Sequence, residues 1–171
     1  MVTYHEHILK KKKSTKDLIF CLVTPFVVAI LAFILILVCL STQVLSMFVP
    51  ATFVGGIYLS YKLISSKNIE FEYLLVDSDL DIDKIINKKK RKRVASVYRK
   101  EIIAMAPVGS SNLPENWQTL ESYDASPYIE HPDTYVLVYN HDGIQKVLYF
   151  CPPEKMLEVM TMRNPRKVFK D

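Results

Sequence analysis

The chain has 171 residues, half of them hydrophobic, and a formal net charge of +4 at neutral pH. Residues 1–67 carry +5 and residues 68–171 carry −1. A nucleic-acid binder would hold its positive excess on the soluble part, so no nucleic-acid partner is expected. Three cysteines with no CxxC pair indicate neither a zinc site nor a disulfide framework. There is no GxSxG, P-loop or HExxH motif, so no enzyme activity, catalytic residue, metal or cofactor is expected.

Residues 1–17 read as a basic cytoplasmic tail, with His5 and His7 solvated and lysines at 10–13 and 16. Ser14 to Asp17 offer N-cap side chains for the first apolar helix. Residues 18–64 read as a two-helix transmembrane hairpin. Leu18 to Leu40 and Val44 to Tyr61 contain no charged residue, and Ser41-Thr42-Gln43 separates them as a turn. Each half is long enough for a helix to cross a hydrocarbon core about 30 Å thick, and neither shows the polar stripe of a soluble core helix. The first run exceeds the roughly 7–15 residues of a signal-peptide core and lacks a small-x-small cleavage site. Lysines flank the pair on both sides and the turn has none, which predicts a cell-membrane protein with both termini cytoplasmic.

Pro25 allows a mild kink. Cys21 and Cys39 read as apolar span residues, while Tyr58, Tyr61 and Lys62 suit the membrane interface. No acidic residue, Arg or His lies within either span, which argues against an ion path. Ala51 with Gly55, and Gly56 with Ser60, place small residues four apart. They mark helix packing, either between the two spans or across a homodimer face.

From Asn68 the period changes. Alternation in IEFEYLLV and LDIDKI around Asp77-Ser78-Asp79 predicts a β-hairpin. The aspartates at 77, 79, 81 and 83 fail a calcium loop, because Ile82 replaces its glycine and Lys88 its glutamate. The last three fall on the solvent face of a strand. Lys88, Lys89, Lys90, Arg91, Lys92 and Arg93 form a loop leading into a strand. This run is either a solvated counterweight to those aspartates or a contact with the anionic inner leaflet. VASVYRKEIIAM predicts two short strands around a bend, residues 106–114 a loop, and 117–123 one more strand. TYVLVYN and IQKVLYF flank His141-Asp142-Gly143 as a second hairpin. Pro152-Pro153-Glu154 starts a helix that Pro165 ends, and residues 166–169 stay unassigned. His131 and His141 read as loop polarity.

About seven strands, mostly antiparallel, followed by one C-terminal helix make an α+β domain over 68–171. Its order resembles the pleckstrin-homology (PH) superfold. The FEYLLVDSDLDIDKIINKKKRKR (71–93), EIIAMAP (101–107), EKMLEVM and NPRKVF (154–169) blocks resemble a family of small two-span membrane proteins of clostridial Firmicutes. That resemblance implies an architecture and no activity. Lipid-binding PH domains carry basic residues around the loop joining their first two strands. The turn at Asp77 and Asp79 is acidic, so phosphoinositide recognition is not implied. The expected function is a non-catalytic, membrane-anchored binding or scaffolding module whose partners are the lipid bilayer, anionic lipid and a further protein. The alternative is a small accessory subunit of a membrane complex that acts through its helices.

Overall fold

The computed structural model describes residues 4–41, 45–128 and 131–170. The expected turn at Ser41-Thr42-Gln43 lies largely outside the described residues, as does part of the 124–133 loop. The chain divides into a β unit, formed by residues 1–12 and 69–171, and a helical unit, residues 13–68.

In the helical unit, α1 (Thr15–Leu40) starts at Ser14, whose carbonyl accepts the N–H of Leu18 at 3.0 Å while its side chain makes no cap. Asp17 sits in the first turn, where the helix dipole favours an anion. α1 continues through Pro25, and Thr24 returns its hydroxyl to the carbonyl of Phe20 at 2.6 Å. A 3-10 turn, Leu45–Phe48, leads into α2 (Val49–Ser65), with Pro50 in its first turn. The helices run antiparallel: Asp17 pairs with Lys67 at 3.0 Å, and Gly56 lies against Val28 and Ala32. Both Thr15–Leu40 and Leu45–Ser65 are long and apolar enough to cross a membrane. Their large side chains, such as Leu22, Phe26, Phe33 and Phe53, are exposed rather than packed inward.

The β unit begins with a strand that the sequence reading takes for a tail. β1 (Tyr4–Lys10) pairs antiparallel with β2 (Ile69–Val76), running from Tyr4 opposite Val76 to Lys10 opposite Glu70. His5, His7 and Leu9 are half-buried while Tyr4, Glu6 and Ile8 are exposed, and the His7 ring lies 6.3 Å from that of Tyr73. The two histidines are therefore not simply solvated. Seven residues of weak alternation beside a lysine run carry too little apolar signal; the strand exists because β2 offers an edge.

β3 (Asp79–Ile86) and β4 (Lys90–Val97) complete sheet A in the order β1-β2-β3-β4. The β2–β3 turn places Asp77 at φ 58°, and the β3–β4 turn uses Asn87 and Lys88 at φ 50° and 56°, the left-handed pair that fits a tight hairpin. After a 3-10 turn at Arg99–Glu101 come β5 (Ile102–Pro107), β6 (Glu121–Asp124), β7 (Tyr135–His141) and β8 (Ile144–Phe150). Sheet B has the order β5-β7-β8-β6, with β6 parallel to β8. The parallel pair departs from a simple antiparallel meander because β6 is reached by the long 108–120 connection rather than by a hairpin.

Phe71, Tyr73, Leu75, Leu80 and Ile82 of sheet A face Ile102, Met105, Leu137, Leu148 and Phe150 of sheet B across the core. α3 (Glu154–Arg163) adds Met156 and Met160, one turn apart. Sheet B is covered on its other face as well. Val136, Val138 and Val147 pack with Leu113, Trp117 and Phe169, which explains why TYVLVY reads as a continuous apolar run. The unassigned tail is part of the sheet: Val168 bridges Met105 in parallel, and Met105 exchanges backbone bonds with Lys167 and Phe169 at 2.7 and 2.8 Å.

Candidate functional site

Sheet register brings one set of cations to one end of sheet A. Lys10 lies opposite Glu70, Glu70 opposite Ile85, and Ile85 opposite Arg91. The Lys88–Lys89 turn joins β3 to β4 just beyond this row. The chain leaves the β unit after Lys12 and returns at Ile69, and the N–H of Lys11 bonds the carbonyl of Ile69 at 2.9 Å. Both connections to the helical unit therefore leave from the same end of sheet A as the basic turn.

The six-residue basic run is exposed throughout, yet it divides by role. Arg91 grips the buried Glu72 of β2 with two bonds, at 2.9 and 3.0 Å. Arg93 bridges Asp81 at 2.8 Å and Asp83 more closely. Asp81 and Asp83 of β3 are thus on the face opposite Leu80 and Ile82, as alternation predicts, and serve as ion-pair partners. Lys88, Lys89, Lys90 and Lys92 make no side-chain hydrogen bond or ion pair among the described residues. The run thus divides: the arginines counter the sheet's own acids, while Lys88, Lys89, Lys90 and Lys92 stay exposed.

Lys84 belongs with these lysines and was not singled out from the sequence. It sits on the inner-face series of Leu80, Ile82 and Ile86, directly opposite Lys92. Like charges facing each other across strands repel. The signal available was a lysine at an apolar position of the LDIDKII alternation. Just after β1, the cations are engaged: Lys11 pairs with Asp124 at 3.0 Å, and the Lys12 ammonium lies 4.9 Å from the Tyr128 ring centre.

In the helical unit the four small residues separate. Gly56 and Ser60 face α1 and line, with Pro25, Ala32 and Phe53, an apolar groove of about 410 Å³. A Cβ at Gly56 would stand 3.4 Å from that of Ala32. Ala51 and Gly55 lie on exposed surface, and a Cβ at Gly55 would meet nothing within 4 Å. The first pair is contact within the hairpin; the second is not.

The lone thiol of the β unit, Cys151, is buried beside the Thr134 hydroxyl at 3.4 Å, and burial pushes it above the ordinary thiol range. Burial likewise raises the Tyr73 hydroxyl, which donates to the carbonyl of Ala125 at 2.5 Å. His131 accepts the N–H of Asp133 at 3.2 Å, and His141 lies 3.9 Å from Glu101. No group of three His, Cys, Asp or Glu that could hold a metal occurs among the described residues.

Two four-stranded sheets around one core, with a C-terminal helix packed on it, define a PH-like domain. The chain belongs to the bacterial PH-like domain family (DUF6106), whose model matches residues 1–170. Neither the curated proteins nor the solved structures yield a match. The match over residues 1–170 takes in both the helices and β1. The acidic turn at Asp77, expected to join the first two strands, joins the second and third; the first connection is the helical unit itself. The exclusion of phosphoinositide recognition argued from that turn therefore loses its basis.

Proposed function

We propose that this chain is a non-catalytic, membrane-anchored binding or scaffolding module of the cell membrane. The helical unit forms the anchor as a two-span hairpin with both termini cytoplasmic. The lysine group Lys84, Lys88, Lys89, Lys90 and Lys92 engages anionic headgroups, and the rest of the β unit meets a protein partner. The observation that carries this reading is the shared end of sheet A, from which both helical connections depart and where the unpaired lysines gather. Because β1 and β2 are neighbours, the chain enters and leaves the helical unit from one place, as a two-span hairpin requires. The exposed apolar surface of both helices fits lipid as solvent, since soluble surfaces rarely carry so much. Basic residues near an anionic surface contribute about 1 kcal/mol each.

Two measurements on the full chain test this. Alkaline carbonate washing of membranes should leave the protein in the pellet; release would remove the anchor. Acetylation footprinting in nanodiscs should show the five lysines labelled several-fold more slowly with anionic than with neutral lipid, an effect reversed by salt. Equal labelling would remove the headgroup contact and leave protein partners alone. The accessory-subunit reading is favoured by one observation, the exposed Ala51–Gly55 face with open space at Gly55.

A further inference from the structure

The opposite end of sheet A carries a second cationic feature, a recess of about 520 Å³ lined by Asp79, Tyr98, Arg99, Lys100, Asn164 and Lys167. Asp79 opens β3 opposite Val76, so the recess lies a full strand, about 25 Å, from the lysine turn. Part of its chemistry serves the fold. Arg99 donates through Nε to Asn164 Oδ1 at 3.2 Å and through Nη2 to the carbonyl of Arg163 at 2.7 Å, closing the C-terminus of α3. Lys167 donates to the carbonyl of Ile102. Asp79 accepts the backbone N–H of Arg99 at 2.9 Å.

What remains is an excess of donors. The Lys100 ammonium lies 6.0 Å from the Tyr98 ring centre and has no anionic partner among the described residues. Arg99 and Lys167 have N–H groups to spare. Asn164 is only 8% exposed, and its Nδ2 has no acceptor. The amide cannot turn over to cure this, because Arg99 already holds Oδ1. A buried N–H without an acceptor is unfavourable, and three cations facing one carboxylate leave the recess positive.

We propose that this recess binds a small soluble oxyanion, a phosphate or carboxylate group, on Asn164 Nδ2, Arg99 and Lys100. It stands independently of whether the helices enter a bilayer, and its distance from the connections at Lys12 and Ile69 favours a ligand from solution over a lipid headgroup.

The test is calorimetric titration of the full chain in neutral detergent with inorganic phosphate and, separately, acetate. Saturable binding of at least one is expected. Asn164→Asp keeps the acceptor for Arg99 and replaces the donor with a negative charge; it should weaken binding by about tenfold or more. Lys100→Met, at an exposed position, should weaken it by a similar factor and keeps the test open where Asn164→Asp fails to fold. No binding of either anion by the folded chain, or binding unchanged in Lys100→Met, overturns the site. Repeating the phosphate titration in neutral and anionic nanodiscs identifies the source. Equal affinity is expected, and phosphate displaced by anionic lipid would overturn the assignment to a soluble ligand.

Discussion

The two units place the same kinds of side chain in opposite surroundings. In the β unit Phe71, Leu75, Leu137, Leu148 and Phe150 are at most 1% exposed. In the helical unit Leu22, Phe26, Leu31 and Phe33 are all at least 60% exposed, and among its described apolar residues just Val28 and Cys39 are buried. One unit gains stability by removing apolar surface from water; the other keeps that surface on its outside. The contrast teaches that the chain joins a unit with an apolar interior to one with an apolar exterior, and that a single strand within the first ten or so residues belongs to the former.

The largest effect tests that last point. Deleting residues 1–10 removes β1 and uncovers β2, and the cooperative thermal transition of the β unit should disappear. Joining Lys12 to Ile69 by a short turn in place of residues 13–68 should instead give a folded, water-soluble chain, since Lys11 and Ile69 are already hydrogen-bonded neighbours. Circular dichroism melts decide both. A folded product from the first or an aggregate from the second would break the division into units.

Paired leucine truncations sharpen the contrast. Leu148→Ala, at a fully buried position, should lower stability by about 2–5 kcal/mol. Leu31→Ala, at a 60% exposed position, should cost under about 0.5 kcal/mol in the same denaturation experiment in detergent. Similar losses at the two sites would mean that the helices bury their surface against protein.

The smallest effect separates two glycines within the helical unit. Gly56→Leu should push α1 and α2 apart, read as weaker cross-linking between cysteines placed at Ala32 and Phe53. Gly55→Leu should leave that cross-linking intact, because no atom stands near its Cβ. Loss of a co-purifying partner in Gly55→Leu alone would support the accessory-subunit reading.

Much of this was legible in the residues. The uncharged runs at 18–40 and 44–61 pointed to α1 and α2, since apolar stretches of that length without strand alternation read as helices. Alternation located β2 and β3, and apolar runs flanking a turn located β7 and β8. Turn chemistry around Asp77 and Asp142 located two hairpins, whereas the hairpin at Asn87 and Lys88 emerged from the structure. The lysine run was visible too, although the partition of arginines to Glu72, Asp81 and Asp83 was not, because it depends on which strand lies beside which.

What the sequence determined by itself is therefore local: helix or strand, wet face or dry, where a turn falls. Tertiary structure alone decided that Tyr4–Lys10 is a strand, that β6 runs parallel to β8, that residues 167–169 cover the edge of β5, and that Arg99 meets Asn164. Each of these joins segments far apart in the chain, and the partner, rather than the segment, supplies most of the stabilising free energy. A short polar stretch carries no record of the edge that will bind it.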